Sequence, residues 1–436
     1  MTSTQATDSA PAQLRSIEAD ITAGRLDVAR AALERLMTAA SADPRLYLTA
    51  AMLALRENDP QRQMAALARA VQVAPGWWPA WAELAKVLSV QEHFGEALAA
   101  AQRLAELAPG EIEALEIAVA VANSAGDTAR ARQYLEAALT LRPGDFAIRR
   151  ALGIALDKLH AHVEAEQLWR GVVADHPDNV AALGWFAVSL IALKRNAEAV
   201  EVLERALLLE PGNPGLSFHL TLARGETPTT QPIGTVQQLF DEYARRFDQH
   251  LEGKLHYQLP RLVADIIRAQ HPQLDISVLD LGCGTGLFGA QLGAIKGAFV
   301  GVDLSRNMLE KAMKYNVYSR LRLNDLLVEL REIAAGSFDY VAANDVFIYV
   351  GDLSEVIPAT YRVLRPGGRF IFSCETAEEN EGPLVLRKTR RFAHSRSSVE
   401  KLCQTAGFRN QEVQHLDLRH DGPNGIIRGF MVIAQK

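Results

Sequence analysis

Residues 278–287 read Val278-Leu279-Asp280-Leu281-Gly282-Cys283-Gly284-Thr285-Gly286-Leu287, and they decide how the second half of the chain folds. Apolar residues run directly into a Gly-x-Gly-x-Gly turn, and an amphipathic segment at residues 287–295 follows. This order predicts a strand, a glycine loop and a helix. Such a loop brings backbone N–H groups against the polar groups of a ligand at the start of the helix.

A second apolar run, residues 299–302, ends in Asp303. An acid at the end of the second strand can accept hydrogen bonds from the hydroxyl groups of a ribose. The glycine loop and Asp303 together therefore indicate a nucleoside cofactor.

The spacing of the loop argues against a dinucleotide. A dinucleotide-binding loop follows the pattern Gly-x-Gly-x-x-Gly, whereas the third glycine here, Gly286, comes one residue earlier. Asp280 precedes the turn. Its charge would repel a pyrophosphate but suits a cationic amino-acid group such as the ammonium of a methionine.

The chain as a whole has 436 residues, of which 48% are hydrophobic, and its net charge is −6. A chain of this length exceeds a single core, so we expect two domains. This net negative charge indicates no positively charged surface for nucleic acid or for an anionic membrane. We therefore expect neither nucleic acid nor a membrane as a partner.

Three cysteines occur, Cys283, Cys374 and Cys403, and their spacing matches no metal site. A small, odd number of cysteines argues against a secreted disulfide framework. Residues 1–13 lack a targeting signal, and no apolar run is long enough to span a bilayer. We expect a cytoplasmic protein without a bound metal.

The first half of the chain repeats with a period of 34 residues. Five prolines mark the period, and they are Pro75, Pro109, Pro143, Pro177 and Pro211. Small residues keep the same register, as in the series Ala29, Ala97, Ala131, Ala165 and Ala199. This period is typical of helix-turn-helix repeats, in which small residues let two helices approach and proline starts the turn after each second helix.

These repeats resemble the tetratricopeptide repeat family. The resemblance implies an all-α superhelix over residues 10–223, made of six repeats and a capping helix near residues 214–223. Its concave groove would bind a protein partner or another copy of the chain, with a rigid spacer or dimerisation arm as the alternative. The second repeat departs from the pattern, since Gln63 stands where a small residue is expected.

Two segments outside the array show no periodicity. Residues 1–9 are predicted to be disordered. Residues 224–232 combine polar residues with a glycine and two prolines, which is typical of a linker. The second domain is therefore expected at residues 233–436.

From residue 276 onward, short apolar runs alternate with helical stretches. Strands are predicted at residues 276–281, 298–303, 321–324, 338–342 and 369–374, and helices at residues 287–295, 305–315 and 352–364. This alternation predicts a parallel sheet covered on both faces. Two further strands, at residues 412–417 and 428–433, are expected to pair antiparallel. Ligands bind outside the carboxyl ends of such strands.

The loop, the acids and the turn Arg365-Pro366-Gly367-Gly368 resemble class I S-adenosylmethionine-dependent methyltransferases. Residues 239–257 and 391–395 also resemble methyltransferases that carry tetratricopeptide repeats. The resemblance implies a Rossmann-like, seven-stranded α/β methyltransferase domain that binds S-adenosylmethionine and releases S-adenosylhomocysteine. It implies a cofactor site made of Asp280, Gly282, Cys283, Gly284, Gly286, Asp303, Leu304, Met308, Asn324, Asp325, Leu326, Asn344, Tyr243, Arg246 and Phe247.

The segment before the domain has two interpretations. In relatives it folds over the cofactor as a lid, which would bring Tyr243, Arg246 and Phe247 to the site. A helix that packs on the sheet through Phe240 and Phe247 fits the same periodicity.

Side chains after the fourth and fifth strands face the expected acceptor site. Asp345 and Tyr349 follow the fourth strand, and Glu375 ends the fifth. His394, in the following loop, is the first candidate for a general base because histidine titrates near neutral pH. The alternative for His394 is an ordinary hydrogen-bonded loop histidine.

The one basic concentration in the chain is residues 387–391, in a long insertion after the fifth strand. We hypothesise that Arg390 and Arg391 bind a carboxylate or phosphate of the acceptor, together with Tyr257. The acceptor atom is an oxygen or a nitrogen, on a small molecule or a protein. Asn344-Asp345-Val346-Phe347 is not the Asn-Pro-Pro-Tyr signature of amino methylation, which disfavours nucleobase and glutamine acceptors.

A second function class is a repeat scaffold whose methyltransferase-like domain is inactive or only senses the cofactor. The intact set of Asp280, Gly282, Gly284 and Asp303 favours an active enzyme, because an inert copy has no physical need for these residues.

Overall fold

A computed structural model describes residues 10–39, 42–244, 257–420 and 425–436. The chain forms two compact units, Met1–Val202 and Leu203–Lys436. The predicted disordered segment, residues 1–9, lies outside the described residues. The domain boundaries drawn from the sequence stay a prediction.

Paired helices make up the first unit and continue into the second. They are α1 (Ala10–Thr22), α2 (Leu26–Ala39), α3 (Pro44–Arg56), α4 (Pro60–Val73), α5 (Trp78–Val90), α6 (Phe94–Leu107), α7 (Ile112–Ala125), α8 (Thr128–Leu141), α9 (Phe146–Lys158), α10 (His162–Asp175), α11 (Val180–Ala192), α12 (Asn196–Leu209) and α13 (Pro214–Ala223). Within the described residues, α1 to α12 form consecutive pairs that match the predicted repeats. Helix α13 lies at the position predicted for the capping helix.

The periodic residues lie where the repeat pattern predicts them. Each proline of the series follows the second helix of a pair, as Pro75 follows α4 and Pro211 follows α12. The alanines of the series are all fully buried, and they are Ala29, Ala97, Ala131, Ala165 and Ala199. Small side chains at these positions let neighbouring helices pack closely.

Polar residues before several helices fix where those helices begin. The side chains of Asp127, Asp145 and Asn179 accept hydrogen bonds from backbone N–H groups in the first turns of α8, α9 and α11. These caps satisfy donors that have no partner inside the helix, and each is worth about 1 kcal/mol.

The second repeat contains the exception seen in the sequence. Gln63 is buried, with 8% of its surface exposed, and it lines a cavity of about 310 Å³. Helices α1, α3, α4 and α5 surround this cavity. Apolar side chains such as Met52 and Leu55 form much of its wall, and the acidic side chains Glu18 and Glu83 complete it.

The second unit is built around one sheet. Its helices are α14 (Ile233–Tyr243), α15 (Leu259–Gln270), α16 (Leu287–Leu292), α17 (Arg306–Ala312), α18 (Leu326–Glu332), α19 (Val356–Val363) and α20 (Arg396–Ala406), with 3-10 turns at Met313–Tyr315 and Glu379–Glu381. Its strands are β1 (Val278–Leu281), β2 (Phe299–Asp303), β3 (Arg320–Leu323), β4 (Phe338–Ala343), β5 (Leu364–Ala377), β6 (Leu384–Leu386), β7 (Phe392–Ser395), β8 (Arg409–His420) and β9 (Ile426–Gln435).

The strand order is β3-β2-β1-β4-β5-β7-β6. Strands β1 to β5 pair in parallel with their neighbours, and β9 pairs antiparallel with both β5 and β8. The predicted parallel sheet with a final antiparallel pair is thus confirmed. The carboxyl ends of the parallel strands meet at one edge, which is where ligands bind in such sheets.

The sheet has nine strands over the described residues, whereas the sequence predicted seven. Strand β5 is 14 residues long, and its last residues extend past its pairing with β4, which ends at Phe372. Strand β7 pairs with Glu375, Thr376 and Ala377 there, and β6 forms a hairpin with β7. All seven predicted strands are present, and the hairpin of β6 and β7 adds two more, because residues 384–395 were read from the sequence as an insertion. Strands of three and four residues are too short for their periodicity to be recognised.

Both faces of the sheet are covered by apolar side chains. Leu279 and Leu281 of β1 pack into one cluster. Val278 packs into the other, together with Val263 of α15 and Phe288 of α16. Because side chains alternate along a strand, Asp280 shares the face of Val278.

Candidate functional site

The three glycines of the loop all adopt a left-handed backbone conformation, with φ of +64° at Gly282, +55° at Gly284 and +87° at Gly286. Side chains other than that of glycine are strained at such angles. A Cβ at Gly282 would lie 2.6 Å from Cγ2 of Val346, whereas a Cβ at Gly284 would meet no atom within 4 Å. The loop is therefore packed against the protein at Gly282 and open at Gly284, where a ligand can approach the backbone.

Asp303, at the end of β2, is held by backbone hydrogen bonds. Its Oδ2 accepts from the N–H of Gly284 at 2.8 Å, and its Oδ1 accepts from the N–H of Ser305 at 2.9 Å. Burial raises the pKa of Asp303 to about 6, although these hydrogen bonds lower it. The two backbone donors favour the ionised form of the carboxylate and orient it beside the loop.

Asp280, at the end of β1, is almost fully buried, with 1% of its surface exposed. The hydroxyl of Tyr318 donates a hydrogen bond of 2.7 Å to its Oδ2. Burial raises the pKa of Asp280 to about 7, the Tyr318 hydrogen bond lowers it, and the charge of Asp303 raises it. Sequence reasoning missed Tyr318, which has no motif around it.

Two polar side chains beside the loop are buried without a hydrogen-bond partner in the described part of the chain. They are Asn344, whose amide oxygen and nitrogen are both unsatisfied, and Thr285, whose hydroxyl is unsatisfied. Buried polar groups without partners cost free energy and are rare. Such groups fit a site in which a polar ligand supplies the missing partners, so the residues present suit a nucleoside cofactor.

Helix α14 connects the ends of β2 and β4. The carboxylate of Asp241 accepts a hydrogen bond of 2.5 Å from the hydroxyl of Ser305. The ring of Phe240 contacts that of Tyr349, with 5.1 Å between the ring centres. Arg246, Phe247 and the side chain of Tyr243 lie outside the described residues, so the roles predicted for them stay predictions.

The residues predicted around the adenine have structural partners of their own. Asp325 caps α18, since its Oδ1 accepts from the N–H groups of Leu327 and Val328. The amide of Asn324 donates to Glu329 at 2.9 Å. Met308 is fully buried, Leu304 and Leu326 are partly buried, and Cys283 is buried in the loop with its pKa raised by burial. Their contacts with a cofactor stay predictions.

An arginine that sequence reasoning missed joins the two predicted acceptor-side acids. Arg419, from β8, forms ion pairs with Asp345, after β4, and with Glu375, in β5. Arg419 and Glu375 are each 5% exposed. Burial would lower the pKa of Arg419, but the charges of Asp345 and Glu375 raise it above its usual value. We call these three residues the acid-arginine cluster.

Two tyrosines and a second arginine lie beside the acid-arginine cluster. Burial raises the pKa of Tyr349, and the charge of Arg391, which also hydrogen-bonds to Tyr349, opposes this rise. Burial raises the pKa of Tyr257 well above its usual value, and the charge of Asp345 adds to this. The structure thus brings Tyr257, Tyr349 and Arg391 together with Asp345 and Glu375, and their role towards an acceptor stays a prediction.

His394 lies in strand β7, so its predicted position in a loop is wrong. The local sequence around it carried no strand signal. Its Nε2 lies 2.7 Å from the backbone oxygen of Gly351, and because a carbonyl can only accept, Nε2 donates. Burial lowers the pKa of His394, and its Nδ1 is buried without a partner among the described residues. The role of general base stays a prediction.

The basic run does not face the acceptor side as one patch. Arg387 forms an ion pair with Glu381. Arg390 is exposed in the turn between β6 and β7, with φ of +59°, and its backbone oxygen accepts from the side chain of Gln231. Of the two arginines predicted to bind the acceptor, only Arg391 lies beside the acid-arginine cluster, because consecutive residues of the hairpin point in different directions.

Comparison with known protein families agrees with this geometry. Residues 279–372 match a family model described as a methyltransferase domain. Residues 158–217, and residues 82–146 with 121–171, match models described as tetratricopeptide repeats. The chain combines tetratricopeptide repeats with a methyltransferase domain.

Curated relatives of the methyltransferase domain are O-methyltransferases and a methyltransferase-like protein. Over 182 residues it is 29% identical to the ubiquinone biosynthesis O-methyltransferase of Ralstonia nicotianae, spanning 39% of this chain and 76% of that protein. The corresponding enzyme of Thiobacillus denitrificans is 30% identical, over 31% of this chain and 60% of that protein. Methyltransferase-like protein 27 of Homo sapiens is 35% identical, over 32% of this chain and 58% of that protein. The match thus spans about three-fifths of the latter two relatives.

Solved structures similar to the domain include two methyltransferases with bound ligands. One is the 1,6-didemethyltoxoflavin-N1-methyltransferase of Burkholderia thailandensis, bound to S-adenosylhomocysteine and its substrate; it is 18% identical with a TM-score of 0.37, over 48% of this chain and 92% of that one. The other is the phosphoethanolamine N-methyltransferase 2 of Haemonchus contortus bound to S-adenosylmethionine, 17% identical with a TM-score of 0.36, over 45% of this chain and 60% of that one.

Two features are absent from the described residues of the chain. No helix there is both long and apolar enough to cross a membrane. No group of three or more His, Cys, Asp or Glu side chains there could hold a metal ion.

Proposed function

We propose that the second unit is a methyltransferase that uses S-adenosylmethionine and acts on an oxygen of its acceptor. We further propose that the repeats bind a protein partner or a second copy of the chain. The observation that carries the proposal is the open loop at Gly284, with the carboxyl group of Asp303 hydrogen-bonded to it and the unsatisfied amide of Asn344 beside it.

Each of these residues has a task that fits its geometry. Asp303 can accept hydrogen bonds from ribose hydroxyls, because backbone donors already fix its orientation. Asp280 can pair with the ammonium of the amino-acid part, since it is buried and the strength of an ion pair grows with burial. Asn344 can donate to and accept from the same ligand.

S-adenosylmethionine supplies, when bound, an electrophilic methyl group. The remaining task of the chain is to align the acceptor atom with that group and to exclude water. The acid-arginine cluster, with Tyr257 and Tyr349, is suited to this task, because its polar groups are rigidly paired. Glu375 is a candidate to take up the acceptor proton, since burial raises its pKa against the effect of Arg419.

An oxygen acceptor is favoured by the curated relatives. The proteins of Ralstonia nicotianae and Thiobacillus denitrificans are O-methyltransferases by name. The acceptor atom belongs either to a small molecule or to a protein, and the second experiment below distinguishes these two sources.

The alternative, a scaffold with an inactive domain, is not supported by the site. Asp280 is buried in a way that raises its pKa, which costs stability when it is ionised. A domain without a ligand would be more stable with another residue in place of Asp280. The presence of Asp280 therefore indicates that the domain binds a ligand that pairs with this charge.

The first experiment measures binding of S-adenosylhomocysteine by calorimetry. Asp303→Asn should weaken binding by about tenfold or more, because hydrogen bonds to a charged group are worth about 1.5–3 kcal/mol. Asp339→Asn is the matched control, since Asp339 also accepts a backbone hydrogen bond, from Ser277, but at the start of β4. No binding by the unaltered protein would overturn the proposal.

The second experiment follows transfer of a labelled methyl group in a cell extract. Label in a protein band identifies a protein acceptor, and label in the small-molecule fraction identifies a free one. A protein that binds S-adenosylhomocysteine but labels neither fraction would contradict the proposed transferase activity and leave the sensing function.

A further inference from the structure

Tyr318 lies between the 3-10 turn Met313–Tyr315 and strand β3, and its hydroxyl reaches under the glycine loop. The hydroxyl donates to Oδ2 of Asp280 at 2.7 Å and accepts from the backbone N–H of Gly289 at 3.2 Å. The ring packs against Phe299, with 4.5 Å between ring centres. One side chain thus ties the end of β1 to helix α16.

Three glycines leave the space that the Tyr318 ring occupies. A Cβ at Gly289 would lie 2.6 Å from both Cζ and the hydroxyl oxygen of Tyr318. A Cβ at Gly301 would lie 3.1 Å from the ring, and a Cβ at Gly286 would lie 3.2 Å from it. The absence of side chains at these positions allows Tyr318 to reach Asp280, so the contact is built by several elements of the fold.

We propose that Tyr318 is a positioning residue of the cofactor site, whose hydroxyl keeps the Asp280 carboxylate oriented and ionised for the ammonium of the amino-acid part of the ligand. This inference rests on the proposed function. It goes beyond that function because it assigns to Tyr318, acting through Asp280, an effect on the affinity for the cofactor and on the pH dependence of that affinity. The hydroxyl engages one carboxylate oxygen, Oδ2, which sets the direction of the whole group.

The titratable groups around Asp280 determine the pH at which it becomes protonated. Tyr318 faces it from the segment before β3, Cys283 from the loop, Asp303 from β2, and Tyr257 from the segment before α15. Burial raises the pKa of Asp280 to about 7, while the Tyr318 hydrogen bond lowers it. Removing the hydroxyl therefore raises the pKa of Asp280 further, and the acid becomes protonated at a higher pH.

The test is the dissociation constant of S-adenosylhomocysteine for Tyr318→Phe and for the unaltered protein, by calorimetry between pH 6 and pH 9. Binding of an ammonium requires ionised Asp280. Because loss of the hydroxyl raises the pKa of Asp280, we expect Tyr318→Phe to bind about tenfold more weakly at pH 6. The ratio of the two constants should approach one at pH 9, where Asp280 is ionised in both proteins. Titration of the ligand itself cancels in this ratio.

Tyr340→Phe is the matched control, because the Tyr340 hydroxyl also donates a partly buried hydrogen bond, of 2.6 Å, but to Gln270. It should leave the ratio near one at every pH. A ratio for Tyr318→Phe that is constant with pH would overturn the proposal, because it would indicate a merely structural role. Failure of the unaltered protein to bind would instead overturn the proposed function.

Gly289→Ala provides a second variant if Tyr318→Phe does not fold. Its Cβ would displace the Tyr318 hydroxyl, while alanine itself favours the helix. We expect the same loss of affinity at pH 6 and the same recovery at pH 9. Unchanged binding by a folded Gly289→Ala protein at pH 6 would contradict the proposal.

Discussion

At the residue scale, Gly153 in α9 shows how the repeats depend on small side chains. Trp169 of α10 is fully buried, and a Cβ at Gly153 would overlap its indole ring. Gly153 recurs at the 34-residue period with the small residues Ala51, Ala85 and Ala187, but the sequence does not indicate which aromatic ring it accommodates. The glycine is therefore required by one neighbour and not by its own backbone conformation.

Gly153→Ala should lower the free energy of unfolding by about 1–3 kcal/mol, because overpacking forces the Trp169 ring to move. Gly171→Ala is the matched control, since Gly171 lies in the same repeat, in α10, and its Cβ would meet nothing within 4 Å. It should raise the free energy of unfolding by about 0.5–1 kcal/mol. Denaturant unfolding measures both, and a stabilised Gly153→Ala protein would contradict the packing argument.

The residues of the candidate site fall into two groups, those that the sequence could predict and those that it could not. Residues of the glycine loop and Asp303 could be predicted because their roles follow from local backbone geometry and from strand ends. Tyr318 and Arg419 could not, because neither lies in a motif. Tyr318 is 38 residues from Asp280, and Arg419 is 74 residues from Asp345 and 44 from Glu375, so only the fold brings them together.

At the element scale, the C-terminal strands do more than complete the sheet. Strand β9 pairs with β5, and β8 pairs with β9, which brings Arg419 to Asp345 and Glu375. A buried arginine that balances two acids stabilises the fold only while all three are present. The hairpin of β6 and β7 extends the same region of the sheet and carries Arg391 and His394.

Arg419→Met should lower the free energy of unfolding by about 3–5 kcal/mol at pH 8, because it leaves two buried carboxylates without a counter-charge. Burial already raises the pKa of Glu375, and the loss of Arg419 raises it further. A raised carboxyl pKa means that the folded state binds the proton more tightly, so the lost stability should be partly recovered as the pH falls from 8 to 5.

Arg331→Met is the control for this prediction, since Arg331 and its partner Glu355 are both 65% exposed. An exposed pair is worth about 0–1 kcal/mol. Thermal or denaturant unfolding at pH 5 and pH 8 measures both variants. An equal effect of the two substitutions at pH 8 would show that the acid-arginine cluster is not a buried, paired unit.

At the scale of the whole molecule, a repeat array and a methyltransferase domain share one chain. The cavity among α1, α3, α4 and α5 offers apolar side chains with two acids, Glu18 and Glu83. Leu55, in its wall, is 59% exposed, so a partner can reach it. This cavity is the surface at which we expect the array to bind a protein partner, including the acceptor if the labelling experiment identifies a protein acceptor.

Leu55→Asp should reduce labelling of a protein acceptor in cell extract by about tenfold, since a charge in an apolar contact costs more than 1 kcal/mol. It should leave the affinity for S-adenosylhomocysteine unchanged, because the substitution is in the other unit. Leu141→Asp is the control, since Leu141 is 41% exposed and lies outside the cavity. Equal labelling by both variants would contradict binding of the acceptor at the cavity.

The sequence by itself determined the two architectures and the cofactor side of the candidate site. Both follow from local patterns, which are the 34-residue period and the glycine loop with an acid after the next strand. Each pattern indicates a backbone geometry that a few residues are enough to impose. The tertiary structure alone decided the nine-stranded sheet, the acid-arginine cluster, the buried position of His394 and the contact of Tyr318 with Asp280. These depend on which strands become neighbours, and that choice minimises the free energy of the whole chain, so no short segment records it.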